Sequence, residues 1–264
     1  MLSLSWKSLL AITLILTLNA CAKNIAGRKQ VMLVSESSAI EASKQAYVNT
    51  LAPFEKSGKL DNDANTVRRV NTITNRLIEQ AKAKRPETAG WEWSVKVIDD
   101  PDTVNAWCMA GGKMAFYTGL LAKLNLNDAE IAQVMGHEIS HALANHSAER
   151  MSIAMASKTV LDVVQSATGA GEGTMSMATA AAQVALTLPN SRTSESEADR
   201  IGIELAARAG YDPNAAVTLW QKMAQVSGQG GFEFMSTHPS PANRESALRD
   251  LIPQMMPLYN AARR

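Results

Sequence analysis

The chain has 264 residues, of which 46% are hydrophobic and 19% are charged, and its formal net charge at pH 7 is +1. This length fits one or two globular domains, and the composition excludes a collagen-like chain, a disulfide scaffold and a disordered chain. The balanced charge leaves no broad basic surface, and only 5% of the residues are aromatic, so nucleic acid is not an expected partner.

The first 20 residues have the pattern of a lipoprotein signal peptide. Lys7 supplies a positive charge, and residues 8–18 form an apolar run that is short for a membrane-spanning helix. The segment 18–21, Leu-Asn-Ala-Cys, resembles a bacterial lipobox, although Asn19 departs from the usual residue at that position. We expect cleavage before a lipidated Cys21; the alternative is an ordinary signal peptide followed by a chance cysteine.

This anchor would place the protein in the cell envelope of a bacterium. Because alanine rather than aspartate follows Cys21, we expect the inner leaflet of the outer membrane, with the protein facing the periplasm. Residues 21–35 are interpreted as a tether, and residues 36–264 as a single domain.

Helices and a small sheet are predicted in chain order through that domain. A capping-box pattern at Ser38 predicts a helix that runs to Phe54, and Asp63 begins a second helix that ends before Pro86. Alternating apolar residues predict a strand over 91–97. Two further short strands are predicted at 105–109 and 114–117. Further helices are predicted to begin at Asn127, Glu195, Asp212 and Ser240. Two more helices are predicted over 167–182, separated by the glycines of 169–173.

The fold class is therefore α+β, dominated by helices, with a sheet of three or four strands. Its sharpest motif is the run His137-Glu138-Ile139-Ser140-His141 inside a predicted helix. Residues four apart share a helix face, so both imidazoles can bind one Zn²⁺ while Glu138 takes a proton from water. The alternative is a pair of core histidines on a buried helix.

A catalytic zinc normally has a third protein ligand. The metzincin pattern is excluded because position 147 is Ser147, and His146 is interpreted as a solvated helix residue. Glu195 can bind the metal, while Asp199, one turn later, can orient a ligating histidine. Taken alone, this second segment is more typical of a solvated acidic helix start; the histidine motif upstream favours the ligand interpretation.

The H-E-x-x-H and E-x-x-A-D motifs together resemble the zinc metallopeptidase family that includes HtpX, the CAAX prenyl proteases, BepA and LoiP. The segment 27–35, the residues 105–120 and the H-P-S motif at 238–240 also resemble this family. The resemblance covers about residues 27–251 and is strongest to LoiP-like lipoprotein peptidases of Gram-negative bacteria. It implies a gluzincin-like fold in which the sheet lies beside the active-site helix.

The resemblance also implies the roles of the site residues. His137, His141 and Glu195 would hold one zinc ion. Glu138 would act first as the general base and then as the acid toward the leaving amine, and Asp199 would orient a ligand.

Further roles follow from the same resemblance. His238 matches a histidine that can enter the metal shell and keep the enzyme latent, and Arg244 matches an arginine that assists near the tetrahedral intermediate. The substrate would add a strand along the edge formed by Asn105, Ala106, Trp107 and Cys108.

The sequence thus predicts a zinc endopeptidase that degrades unfolded or misfolded envelope polypeptides, with outer-membrane assembly partners implied. One alternative is a zinc-containing, chaperone-like binding module at the outer membrane with little proteolysis. Another is a zinc hydrolase that acts on a non-peptide bond such as those of peptidoglycan.

Overall fold

The computed structural model describes residues 21–168, 191–226, 233–238 and 243–263. The predicted signal peptide, the glycine-rich segment 169–173 and the Pro-Ser part of the H-P-S motif lie outside the described residues. So does the predicted helix start at Ser240.

Nine α-helices and one short 3-10 helix (Pro86–Gly90) are described within these ranges, and side chains cap three of the α-helices. Asp63 and Asn127 cap their helices as predicted, because each side chain accepts backbone N–H bonds from the first turn. The first helix begins earlier than predicted, because the Ser35 hydroxyl, and not that of Ser38, forms the cap. The helices are α1 (Glu36–Lys56), α2 (Ala64–Lys84), α3 (Gly119–Leu124), α4 (Asp128–Leu143), α5 (His146–Thr168), α6 (191–208), α7 (Ala215–Val226), α8 (Glu233–Thr237) and α9 (Arg244–Ala262).

The N-terminal segment 21–35, interpreted as a tether, contains an antiparallel hairpin of two strands. Buried Gln30 in this hairpin donates hydrogen bonds to the Ala144 carbonyl and to Glu149 Oε2, both at 2.8 Å. The hairpin is therefore packed against the start of α5 and belongs to the folded domain. Its strands are β1 (Cys21–Lys23) and β2 (Lys29–Val31).

A mixed three-stranded sheet confirms the predicted small sheet. β3 runs parallel to the central strand β5, and β4 pairs with β5 in the antiparallel direction. β4 is thus an edge strand among the described strands, and it lies against α4. The strands are β3 (Ser94–Ile98), β4 (Ala106–Met109) and β5 (Lys113–Tyr117).

Helix α4 occupies the centre of the domain. Every residue from Glu130 to Leu143 is buried, because α2, the sheet, α6 and α7 surround the helix. No helix in the described ranges has both the length and the apolarity needed to cross a bilayer. Because α4 is buried from Glu130 to Leu143, its polar residues must find their partners inside the protein.

Helices α4 and α6 cross at a pair of glycines. A Cβ atom built on Gly136 would lie 2.9 Å from the Gly202 carbonyl oxygen, and one built on Gly202 would lie 2.8 Å from the backbone nitrogen of His137. Both distances are shorter than real carbon contacts, so only glycine allows this approach. The crossing holds α6 directly against the histidine motif.

Replacing Gly202 by alanine should therefore lower the free energy of unfolding by about 1–3 kcal/mol, as overpacking does, even though alanine adds roughly 1 kcal/mol of helix propensity. Urea unfolding followed by circular dichroism measures the change. Gly90→Ala is the matched control, since a Cβ there meets no atom within 4 Å. Equal stability of the two variants would contradict the close crossing.

Candidate metal centre

Four buried side chains converge at the centre of the domain. His137 and His141 project from the same face of α4, as the spacing predicts, and α6 supplies Glu195. His238, which directly follows α8, is the fourth member. Each offers one ligand atom, and these atoms all lie within 4.8 Å of one another.

The distances within this cluster are short. The Nε2 atoms of His137 and His141 are 3.1 Å apart. The Glu195 carboxylate lies 3.2 Å from the first of these atoms and 3.4 Å from the second. The Nδ1 atom of His238 lies 3.1 Å from Glu195 Oε1. The sequence-predicted ligands are thus brought together.

The hydrogen bonds around the cluster fit a bound cation. Asp199 Oδ1 lies 2.9 Å from His137 Nδ1, and a carboxylate can only accept there, so Nδ1 carries a proton and the lone pair of Nε2 is directed into the cluster, where it can bind either a proton or a metal ion. A metal ion is the partner that satisfies such a lone pair beside a carboxylate and further imidazoles. The donor set therefore fits a divalent metal ion.

The ionisation of these groups follows from their contacts. Burial lowers the pKa of His137, but hydrogen bonds to Asp199 and Glu195 outweigh burial and raise that pKa to about 9. Burial alone would raise the pKa of Glu195, yet hydrogen bonds from His137, His141 and His238 hold it well below its usual range. Glu195 is therefore an ionised carboxylate although only 1% of it is exposed.

Glu138 is buried beside the cluster. Its Oε1 atom has no hydrogen-bond partner among the described residues and lies 3.3 Å from His238 Nε2. Burial is the largest cause of the raised pKa of this carboxyl group. A buried carboxylate oxygen without a hydrogen bond is suited to bind water and to accept its proton.

Asp199 and Arg244 form the support behind His137. Arg244 Nη2 donates to Asp199 Oδ1 at 2.6 Å, and its Nη1 lies 3.4 Å from Glu195 Oε2. The guanidinium also stacks on Trp220, with its carbon 3.7 Å from the ring centroid. The contact between Asp199 and His137 agrees with the orienting role predicted for Asp199. The contacts of Arg244 link α9 to the carboxylates of Glu195 and Asp199 on α6.

The interpretation of His146 as a solvated residue is wrong. Helix α4 ends at Leu143, and Asn145 turns the chain with a φ of 56°, so His146 starts α5 instead of continuing α4. The ring is 1% exposed, and its Nδ1 atom lies 2.8 Å from His141 Nδ1. Asn145 was the available signal, because asparagine tolerates left-handed φ more readily than most residues do.

Further charged residues, which the sequence did not single out, extend the hydrogen bonds that start at His146. Its Nε2 atom lies 3.0 Å from Glu197 Oε2, and Arg28 Nε donates to Glu197 Oε1 at 2.6 Å. Burial raises the pKa of Glu197, but the hydrogen bonds from His146 and Arg28 outweigh it and lower the pKa to about 2. Arg28 also forms two hydrogen bonds of 2.7 Å to Glu149. No sequence signal pairs charges that are more than 100 residues apart.

The predicted substrate-binding edge is β4 with the residue before it. Asn105 donates to Glu233 Oε2 at 3.1 Å. Ala106 and Cys108 belong to the core cluster shared with α4, whereas Trp107 packs edge-on against Tyr47 with ring centroids 5.8 Å apart. Burial raises the pKa of the Cys108 thiol, so it behaves as a small buried apolar residue.

Comparison with known proteins assigns the family. Residues 64–252 match the model of peptidase family M48. The chain belongs to this family. The matched range of the M48 chain includes the histidine motif, Glu195, Asp199, His238 and Arg244, whereas Arg28 lies before it. Membership confirms the predicted zinc-metallopeptidase family; the LoiP-like subgroup stays a prediction.

Relatives of this M48 chain come from bacteria and mitochondria. It is 36% identical over 178 residues to the mitochondrial metalloendopeptidase OMA1 of Arabidopsis thaliana, covering 64% of this chain and 33% of that protein. It is 32% identical over 198 residues to the β-barrel assembly-enhancing protease of Yersinia pestis, covering 71% and 39%. It is 32% identical over 178 residues to the metalloprotease YcaL of Escherichia coli K12, covering 67% and 69%. The chain thus spans only a third to a half of the OMA1 relatives' length.

Proposed function

We propose that the protein is a zinc-dependent endopeptidase. The observation that carries the proposal is the convergence of His137, His141 and Glu195 beside a buried Glu138 oxygen that lacks a hydrogen bond. Two imidazoles and one carboxylate form a common ligand set of catalytic zinc. The names of the relatives, which are metalloendopeptidases and metalloproteases, support the same activity.

Each residue of the site has a defined task in this proposal. Zinc, when bound, supplies Lewis acidity toward a carbonyl oxygen and lowers the pKa of a water molecule to about 7. Glu138 Oε1 accepts a proton from the attacking water and returns it to the nitrogen of the leaving amine. Asp199 and Arg244 hold His137 in the orientation that points Nε2 into the site. To Arg244 we also assign the assistance near the tetrahedral intermediate that the family resemblance implies.

The proposed substrates are unfolded or misfolded polypeptides of the cell envelope. The β4 edge from Ala106 to Met109 lies against α4, and one side of it is unpaired among the described strands. An extended peptide that adds a strand there is recognised through its backbone, with little demand on its sequence. The β-barrel assembly-enhancing protease among the relatives supports partners in outer-membrane assembly.

Changing Glu138 to glutamine tests the proposed general base. The amide keeps the shape of the side chain but is a far weaker proton acceptor, so we expect casein cleavage to fall at least about 100-fold while zinc content stays near one per chain by mass spectrometry. Glu79→Gln is the control, since that side chain is exposed on α2. Wild-type cleavage by the Glu138 variant would contradict the mechanism.

We also propose that His238 holds the enzyme in a latent state. Its ring contacts Glu195 on one side and Glu138 on the other, so it occupies the space beside the general base. Its stacking on Phe234 of α8, with ring centroids 4.5 Å apart, further holds the ring in this position.

Replacing His238 by alanine should therefore raise kcat for casein several-fold with zinc still bound, because three protein ligands remain. Ser236→Ala, at an exposed position of α8, is the control. A lower kcat with full zinc content would contradict latency. Zinc binding without cleavage in this variant and in the wild type would instead favour a chaperone-like binding module.

For localisation, we propose a lipid anchor at Cys21 that holds the protein on the inner leaflet of the outer membrane. The lipobox-like segment before Cys21 supports this proposal, and several acyl chains would give stable membrane attachment. Cys21→Ser should move the protein to the soluble fraction and abolish labelling by a fatty-acid analogue. Cys108→Ala, which changes the other cysteine, should leave both unchanged; an unlabelled wild type would contradict the anchor.

A further inference from the structure

We infer that Arg28, Glu197 and His146 form a relay of hydrogen bonds, the Arg28 relay, by which the N-terminal hairpin positions His141. The inference rests on the proposed zinc site, because the relay ends at one of its ligands. All three are positioning residues, since they act through His141 and not on the substrate.

The relay begins at the ring of His141. Its Nε2 atom faces the cluster, 3.1 Å from His137 Nε2 and 3.4 Å from Glu195 Oε1. For this atom to bind a metal ion, its lone pair must be free, so the proton of the neutral ring must be on Nδ1. That N–H then donates to His146 Nδ1, which lies 2.8 Å away.

The second step fixes the tautomer of His146. Because its Nδ1 atom accepts from His141, its own proton must be on Nε2. Glu197 Oε2 lies 3.0 Å from that atom and can only accept a hydrogen bond in its ionised form. In this buried ring Nδ1 accepts a hydrogen bond and Nε2 donates one, and a flip of the ring would break both bonds.

The third step fixes the acceptor itself. Arg28 Nε donates to Glu197 Oε1 at 2.6 Å, and Asn24 Nδ2 donates to Oε2 at 2.8 Å. The far end of the guanidinium is held by Glu149 through two bonds of 2.7 Å. A planar guanidinium bonded to two carboxylates has little freedom to rotate, so the hairpin sets where Glu197 lies.

A purely structural role for Arg28 makes a different prediction. If Arg28 only attached the hairpin to α5 through Glu149, its loss would lower stability without changing the metal site. If the Arg28 relay acts on His141, zinc affinity must fall when the relay is cut at either end. The segment that provides Arg28 lies outside the M48 match at residues 64–252.

The test is the zinc affinity of the full-length protein in detergent, measured by competition with a chelating dye. His146→Phe removes the acceptor for His141, and a loss of about 10–100-fold is expected, as for other groups that orient metal ligands. Arg28→Ala should weaken binding in the same direction, by at least about threefold, and Arg28→Lys should restore part of the loss. Lys29→Ala, at an exposed position next to Arg28 on β2, should bind zinc like the wild type.

Two readouts separate positioning from stability. The visible spectrum of the Co²⁺-loaded protein reports ligand geometry and should shift in the His146 and Arg28 variants but not in Lys29→Ala. A double variant that combines His146→Phe with Arg28→Ala should lose no more zinc affinity than His146→Phe alone, because both changes cut the same relay. Additive losses would overturn the inference.

The outcomes distinguish the two proposals. A wild-type protein that binds no zinc would refute the proposed function. Wild-type zinc binding that His146→Phe leaves unchanged would refute the Arg28 relay and leave the peptidase proposal intact. If Arg28→Ala does not fold, the His146 and Arg28→Lys variants still decide the question.

Discussion

The buried carboxylate of Glu195 is the charge around which this domain is arranged. An ionised carboxylate in a protein interior costs several kcal/mol unless hydrogen bonds and opposite charge compensate it. Three imidazoles and the guanidinium of Arg244 surround it here. Bringing them together requires α6 to approach α4 at van der Waals distance, and the Gly136–Gly202 crossing makes that approach possible. The charged cluster can therefore form only because the two helices carry glycines where they cross.

The two histidines of α4 are held from opposite ends of the described chain. His137 is bonded to Asp199, which Arg244 of the last helix holds in place. His141 is bonded through His146 and Glu197 to an arginine of the first hairpin. Each histidine therefore has a carboxylate and an arginine behind it, although the intermediate residues differ. The family match covers the first arrangement in full but not the arginine of the second.

The sequence predicted what depends on local periodicity. The 3.6-residue repeat places His137 and His141 on one face of α4, and the same repeat joins Glu195 to Asp199 on α6. It could not show that α4 ends at Leu143, where one left-handed residue redirects the chain and carries His146 inward. Nor could it pair Arg28 with Glu197, because that contact depends on how distant elements pack. For the same reason a segment that looked like a tether is a hairpin attached to α5.

The burial of α4 from Glu130 to Leu143 has a consequence for how the site responds to heat or denaturant. Amide protons in such a helix exchange with solvent only through an opening that exposes most of the domain. Local fraying of surface elements other than the hairpin leaves the α4 backbone between the two histidines intact. The spacing of the two histidines along α4 is then lost only on global unfolding, whereas the orientation of the His141 ring also depends on the hairpin that carries Arg28.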